Sequence, residues 1–220
     1  MSARRSSRVT AVRFVLASAS PARLSVLRAA GIDPLVRVSG VDEHAVAADL
    51  VDPAPAELIT ALAAAKAAAV EPVVAADAPD AVVVACDSML HQGGEVVGKP
   101  ESVEVAAQRW RRTAGGTGEL LTGHAVLRLQ DGRVTARAQG HLATTVRFAE
   151  PSDEELQAYL ATGEPLQVAG GFTLDGLGGW FLDGVDGDPS SVIGISLPLT
   201  RRLLGEVGVR VVDLWRSPAD

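Results

Sequence analysis

Two hydroxyls and a guanidinium fall close together in Leu16-Ala17-Ser18-Ala19-Ser20-Pro21-Ala22-Arg23, where an apolar run ends and a helical pattern begins. Pro21 suits a first helical turn, because the backbone donor it lacks would be unpaired there in any case. Leu24, Leu27 and Ala30 then recur at helical spacing. A strand that feeds straight into a helix N-terminus presents free N–H groups, and Ser18, Ser20 and Arg23 would join them. Such a convergence suits an anion, most naturally phosphate. Taken alone, the same Ser-Pro is more commonly an ordinary helix cap that needs no ligand.

Candidate partners for an anion lie farther along. Asp87 closes the most hydrophobic stretch of the chain, Ala81-Val82-Val83-Val84-Ala85-Cys86. A carboxylate there is either a hydrogen-bonded structural group or an active-site group that holds a metal ion, orients water or takes its proton. Asp42-Glu43 reads as solvated surface or, beside phosphates, as oxygen ligands for Mg²⁺. Of 20 basic residues only Lys66 and Lys99 are lysine, in a chain otherwise biased to arginine. Lysines kept against that bias hint at sites needing a compact, rotatable ammonium. Lys66 also suits a solvent-facing helix position, whereas Lys99 is aimed by the tight loop Gly98-Lys99-Pro100. His44, His91, His124 and His141 lack zinc-ligand spacing. The chain contains no G-x-S-x-G elbow, P-loop or dinucleotide fingerprint.

The elements that must position these residues follow from periodicity and turn signals. A strand over 12–17 and the helix from Pro21 precede a short strand over 35–39. Residues 52–57 open an alanine-rich helix to about 70, carrying Lys66, and 72–79 reads as loop. A strand over 81–90, a Gly93-Gly94 turn and a return strand over 95–97 lead to a helix over about 103–113, capped by Ser102. Asp131-Gly132 joins long alternating strands over 119–130 and 133–150. Ser152 starts a helix that Gly163 stops, and 163–194 is glycine-rich and dominated by turns. A helix over 197–207 and a strand over 209–214 follow. The pattern predicts an α/β or mixed α+β fold: one domain over 11–216 behind a loose tail over 1–10, with a mixed sheet flanked by helices.

Aromatic residues are only 4% of the chain, so the core is expected from Ala, Val and Leu. A net charge of −7 speaks against a nucleic-acid surface or a basic membrane-binding face. The single cysteine, Cys86, excludes an intramolecular disulfide framework and fits a reducing cytoplasm. No run approaches the roughly 18 apolar residues of a membrane span, and Arg13 interrupts a would-be signal sequence.

In this order the motifs resemble those of the Maf family of nucleoside triphosphate pyrophosphatases, over about residues 14–209. Leu16 to Arg23 is similar to the family's L-A-S-x-S-P-R-R and Asp42-Glu43 to its D-E. Ala65-Lys66-Ala67 matches its helix lysine, Ala85-Cys86-Asp87-Ser88 its A-x-D-T, and Gly98-Lys99-Pro100 its G-K-P. Tyr159 to Pro165 resembles Y-v-x-t-G-E-P, Ala169-Gly170-Gly171-Phe172 resembles A-G-x-Y, and Gly187 to Gly194 resembles G-D-x-x-N-V-x-G. The turn at residues 115–118 lacks the arginine and histidine of the family's S-G-R-x-H.

The resemblance implies an elongated mixed sheet in two lobes with the site in the cleft, often as a homodimer. It also implies hydrolysis of a nucleoside triphosphate to monophosphate and pyrophosphate. Ser18, Ser20, Arg23, Lys66 and Lys99 would then hold the triphosphate. Glu43 and Asp87 would bind Mg²⁺ or Mn²⁺, and Asp87 would activate the water that attacks the α-phosphorus. At three base-specificity positions, where members acting on dTTP and UTP carry arginine, threonine and glutamine, this chain has Ala22, Ser88 and Asp175. A carboxylate only accepts hydrogen bonds, so Asp175 favours adjacent donors such as those of a guanine edge. That points to a modified or purine nucleotide. Two other readings stand beside this one: a house-cleaning pyrophosphatase of the inosine-triphosphatase type, and a nucleotide-binding regulator of septum formation with little turnover. The match of Ser-x-Ser-Pro with Gly-Lys-Pro favours Maf over the first. Glu43, Asp87 and both lysines favour an enzyme over the second.

Overall fold

A computed structural model describes residues 12–216, so the tail expected over residues 1–10 lies outside the described residues. Apolar β1 (Arg13–Leu16) pairs in parallel with short β2 (Leu35–Val36) and with β3 (Ala81–Gln92). Parallel neighbours need crossovers; these are α1 (Pro21–Ala29) and, farther along, α2 (Glu43–Ala48) and α3 (Pro55–Asp77). β3 turns through Gly93 and Gly94 into antiparallel β4 (Glu95–Val97), and α4 (Val103–Thr113) follows. The long pair β5 (Thr117–Gln130) and β6 (Arg133–Phe148) forms the predicted hairpin, with β5 antiparallel to β3. After α5 (Asp153–Ala161), β7 (Leu182–Asp186) pairs with the end of β6, and α6 (Pro189–Ile193) and α7 (Leu197–Glu206) follow. The sheet order β2-β1-β3-β5-β6-β7, with β4 beside β3, is the mixed arrangement read from the sequence.

One consequence of that order positions the site. β1 pairs with β3 at residues 81–84 and β4 pairs with it at 90–92, both on the side away from β5. Between them lies a gap in the sheet, and Asp87 and Ser88 stand in it. Ligands of α/β sheets commonly enter at such breaks, beyond the carboxyl ends of parallel strands.

Two cores cover opposite faces near β1. One joins Phe14, Leu16, Val82, Val84 and Val126 to Leu27 of α1 and Leu203 of α7. The other joins Val15, Val83, Ala85 and Leu127 to Ala63, Ala67, Val70 and Val74 of α3. Small residues let α3 lie close: a Cβ on Gly123 would sit 2.4 Å from the Ile59 carbonyl oxygen. The third core, at the far end of the long strands, corrects the expectation of a core without aromatics. Trp110 meets Phe148 and Tyr159 edge-on at 5.7 and 5.8 Å, and Phe172 meets Phe148 at 5.0 Å. Composition counted these rings without showing that they cluster.

Four local expectations also change. α3 runs through Pro72 to Asp77 instead of ending near 70. The carbonyl of Ala68, which Pro72 cannot pair, belongs to an exposed residue where water can serve it, while Val70 and Val74 stay buried on the sheet. The extended α3 is long and apolar enough to cross a membrane, but it packs on the sheet. Glu43 and His44, which read as the end of a turn over 40–44, instead open α2, because Asp42 caps the helix by accepting the Ala45 amide. β7 lies in the glycine-rich segment expected to be turns. Val211–Leu214, expected as a strand, is a 3₁₀ turn braced by the Arg210–Asp213 ion pair.

Candidate active site

The loop after β1 delivers its hydroxyls as the sequence suggests. Ser20 caps α1 by accepting the Arg23 amide at 3.3 Å, and Ser18 accepts the Ser20 amide at 3.1 Å. Arg23 projects from the first turn of α1 into the sheet gap. Its Nε donates to the Gly194 carbonyl at 2.8 Å, Nη1 to Ser18 Oγ at 3.1 Å and Nη2 to Ser88 Oγ at 3.2 Å. Three of the five guanidinium N–H donors are thus used to aim the group, and two remain. Ser88 is itself braced by the Thr122 hydroxyl at 3.1 Å.

Successive strand residues face opposite ways, so Asp87 points to the other side, toward α3. Gly123 lies beside Asp87 in the sheet, and the close approach of α3 there brings Lys66, two turns beyond Ile59, over the carboxylate. Lys66 Nζ donates to Asp87 Oδ1 at 2.5 Å and pairs with Glu43 Oε1 at 2.7 Å. Asp87 is buried, and its second oxygen, Oδ2, has no hydrogen-bond partner among the described residues. Burial raises its pKa; the Lys66 ammonium opposes that shift, and the Glu43 charge adds to it.

The donor set fits a divalent cation of the magnesium type. Glu43 and Asp87 supply two carboxylates, one with an orphaned oxygen. No cluster of three or more His, Cys, Asp or Glu side chains suited to a metal occurs among the described residues. Magnesium commonly uses one or two carboxylates and completes its shell with water and substrate phosphates.

Of the predicted site residues, the structure thus links Ser18, Ser20, Arg23 and Ser88 in one network and Glu43, Lys66 and Asp87 in another. Ala22 is half-buried on α1. Lys99 is exposed on its loop and has no ion pair among the described residues. That loop is aimed by its neighbour: the Gly98 carbonyl accepts from Arg109 Nη1 at 2.9 Å and from the Gly170 amide at 3.2 Å. Asp175 is exposed just before the 3₁₀ turn Leu177–Phe181, with no hydrogen bond to Ser88 or Ala22 among the described residues.

Two side chains were not singled out for these roles from the sequence. Glu164 organises the loop around Asp175, accepting from Thr173 Oγ1 at 2.5 Å, the Gly178 amide at 3.0 Å, and the Leu177 amide and Tyr159 hydroxyl at 3.1 Å. Burial pushes its pKa up, but Thr173, the two amides and Tyr159 outweigh it and hold the carboxyl below the ordinary glutamate range. His124 is fully buried, and its pKa falls to about 4, chiefly through burial and in part through the Arg23 charge. Its Nε2 accepts from the Ser196 amide, 72 residues away, so no local spacing signals that role.

Comparison with known proteins agrees over nearly the whole chain. The Maf-like protein family matches residues 13–207. The nucleoside triphosphate pyrophosphatase of Saccharopolyspora erythraea is 74% identical over 208 residues, covering 94% of this chain and 99% of that protein. Its namesake in Nocardia farcinica is 66% identical over 207 residues, covering 94% and 98%. The one from Mycobacterium tuberculosis is 55% identical over 212 residues, covering 94% and 96%.

Proposed function

Since the chain belongs to the Maf family, a nucleoside triphosphate pyrophosphatase is the activity to be derived, and we propose that the gap between β1 and β4 is where it occurs. The enzyme hydrolyses a nucleoside triphosphate to the monophosphate and pyrophosphate. The observation that carries the site assignment is Asp87: buried, basic for a carboxylate, gripped by Lys66 and left with one oxygen that receives no donor among the described residues.

In this reading the free donors of Arg23, the Ser18 hydroxyl and the N-terminal amides of α1 hold the phosphate chain, while Ser20 fixes the loop as cap. Lys99 adds an exposed ammonium, and the cationic cluster offsets the repulsion of a chain with net charge −7. Asp87 Oδ2 accepts a proton from water as the water oxygen bonds to the α-phosphorus. The bond from that phosphorus to the bridging oxygen breaks, and pyrophosphate leaves with the electron pair. A raised pKa suits a proton acceptor. Lys66 keeps the carboxylate ionised and oriented. Orientation and charge neutralisation supply most of the rate in phosphoryl-type chemistry. A bound Mg²⁺ or Mn²⁺, held by Glu43 and Asp87, would neutralise phosphate charge.

Base choice falls to Asp175 and Ser88, with Ala22 leaving space, and a nucleobase that offers adjacent donors is favoured. The free, buried thiol of Cys86 suits a reducing compartment such as the cytoplasm.

The test is a panel of natural and modified nucleoside triphosphates with Mg²⁺ or Mn²⁺, following pyrophosphate and monophosphate together. Equal release of both from a few donor-rich bases supports the reading. Orthophosphate as the product, or no turnover by folded protein, overturns it.

A further inference from the structure

The pose of Arg23 depends on the turn between α6 and α7, where Ile195 is fully buried in the first core while the polar groups around it need partners of their own. α6 spans only residues 189–193, and Gly194 and Ser196 join it to α7. Gly194 has a positive φ of 124°, and a Cβ there would lie 3.1 Å from Arg23 Nε, so a bare backbone lets the guanidinium reach its carbonyl. The Ser191 hydroxyl has no hydrogen-bond partner among the described residues. Among the described residues, two hydrogen bonds tie this turn to the sheet, both to β5. Thr122 Oγ1 donates to the Ser191 carbonyl at 3.2 Å, and the Ser196 amide donates to His124 Nε2 at 2.9 Å.

The second bond fixes the chemistry of the ring. A backbone amide can only donate, so Nε2 must carry a lone pair. The proton therefore sits on Nδ1, which faces the Thr122 carbonyl at 3.3 Å. Both ring nitrogens are used, in a fully buried position whose neighbours on that face include Cys86 and Val126. An apolar side chain would pack there without any desolvation cost.

We propose that His124 is a positioning residue for triphosphate binding: by accepting the Ser196 amide it fixes the 190–196 turn, whose Gly194 carbonyl holds Arg23 in its binding pose. This rests on the assignment of Arg23 as a phosphate ligand. His124 touches no substrate in this scheme, so its loss should weaken binding of the triphosphate more than the chemical step.

The experiment uses steady-state kinetics on the best substrate of the panel with His124→Leu, His124→Gln, Arg23→Ala and the His124→Leu/Arg23→Ala double variant. Glutamine can put an amide oxygen near the place of Nε2; leucine cannot accept at all. His124→Leu is expected to raise KM about tenfold with kcat within about threefold, and His124→Gln to restore most of the KM. In the Arg23→Ala background His124→Leu should add almost nothing, because the two act through one contact. Multiplying effects, or an unchanged KM in folded His124→Leu, overturn the proposal. Should leucine fail to fold, His124→Asn, with its acceptor withdrawn by one carbon, takes its place. A chain that folds with neither would make His124 a stability residue and likewise overturn the proposal. Unchanged kinetics in Arg23→Ala itself would instead sink the phosphate assignment on which it rests.

Discussion

Glu164 and Asp87 are both carboxylates drawn in from solvent, yet their surroundings differ in kind. Glu164 receives two hydroxyls and two backbone amides, all short and all from within residues 159–178. Asp87 receives one donor, the Lys66 ammonium, from a helix across the sheet, and its other oxygen receives none among the described residues. Their pKa values move accordingly, Glu164 down and Asp87 up. A carboxylate whose lone pairs are saturated by fixed donors braces a loop and has nothing left to offer a ligand. One that is buried with an oxygen bare carries a cost that folding alone does not explain, and such sites are where chemistry concentrates.

The sharpest way to break this contrast is Asp87→Asn. Turnover should fall by roughly three orders of magnitude or more, since the proton acceptor is gone. Thermal stability should not fall, because burial already works against the aspartate charge and Lys66 keeps Glu43 as a partner. A melting temperature well below that of the parent would place Asp87 in the same structural class as Glu164. Parallel assays of pyrophosphate release and thermal unfolding decide it.

Gly123→Ala probes how the bare carboxylate is held. The added methyl meets α3 backbone at Ile59 and Thr60, 2.4 and 2.8 Å away, so the helix must move. The cost should be about 1–3 kcal/mol of stability, as for other overpacked interiors. As α3 carries Lys66, kcat should drop about tenfold beyond any loss of folded protein. Unchanged kcat in the folded fraction would mean that the Lys66–Asp87 pair tolerates displacement and does not orient the base.

Much of this contrast was legible in the sequence, but unevenly. Ser18, Ser20 and Arg23 sit at a strand–helix junction whose proline and hydroxyls are local signals, and Asp87 ends a run too apolar to be anything but a central strand. The Asp131-Gly132 turn declared its hairpin. What stayed hidden depends on contacts that no periodic or turn pattern encodes. The hydroxyl and amides that saturate Glu164 come from a glycine-rich segment with no periodicity, and β7 was missed there for the same reason. Pro72 looked like a helix stop because its tolerance depends on which face of α3 meets solvent. His124 looked unremarkable because its acceptor role is to an amide 72 residues away.

The gentlest test is Glu164→Gln, and its pH dependence carries the information. Glutamine keeps the shape and one acceptor oxygen but turns an NH₂ toward the donors that Glu164 now satisfies. At neutral pH the variant should lose about 2 kcal/mol, the scale of hydrogen bonds to a charged group, seen as a melting temperature lower by several degrees. Its kcat should stay within about threefold of the parent, since the loop it braces lies outside the Asp87 network. The sign of the pH effect follows from the depressed pKa. The unfolded carboxyl takes up its proton near the ordinary 4.5, and the folded one only below that. The stabilisation is therefore complete above about 4.5 and is lost as pH falls through the folded value. Parent and variant should differ most at neutral pH and converge in acid. A gap that stays constant down to pH 3 would mean that the charge of Glu164 contributes nothing and the four donors are served by shape alone, which would dissolve the distinction from Asp87.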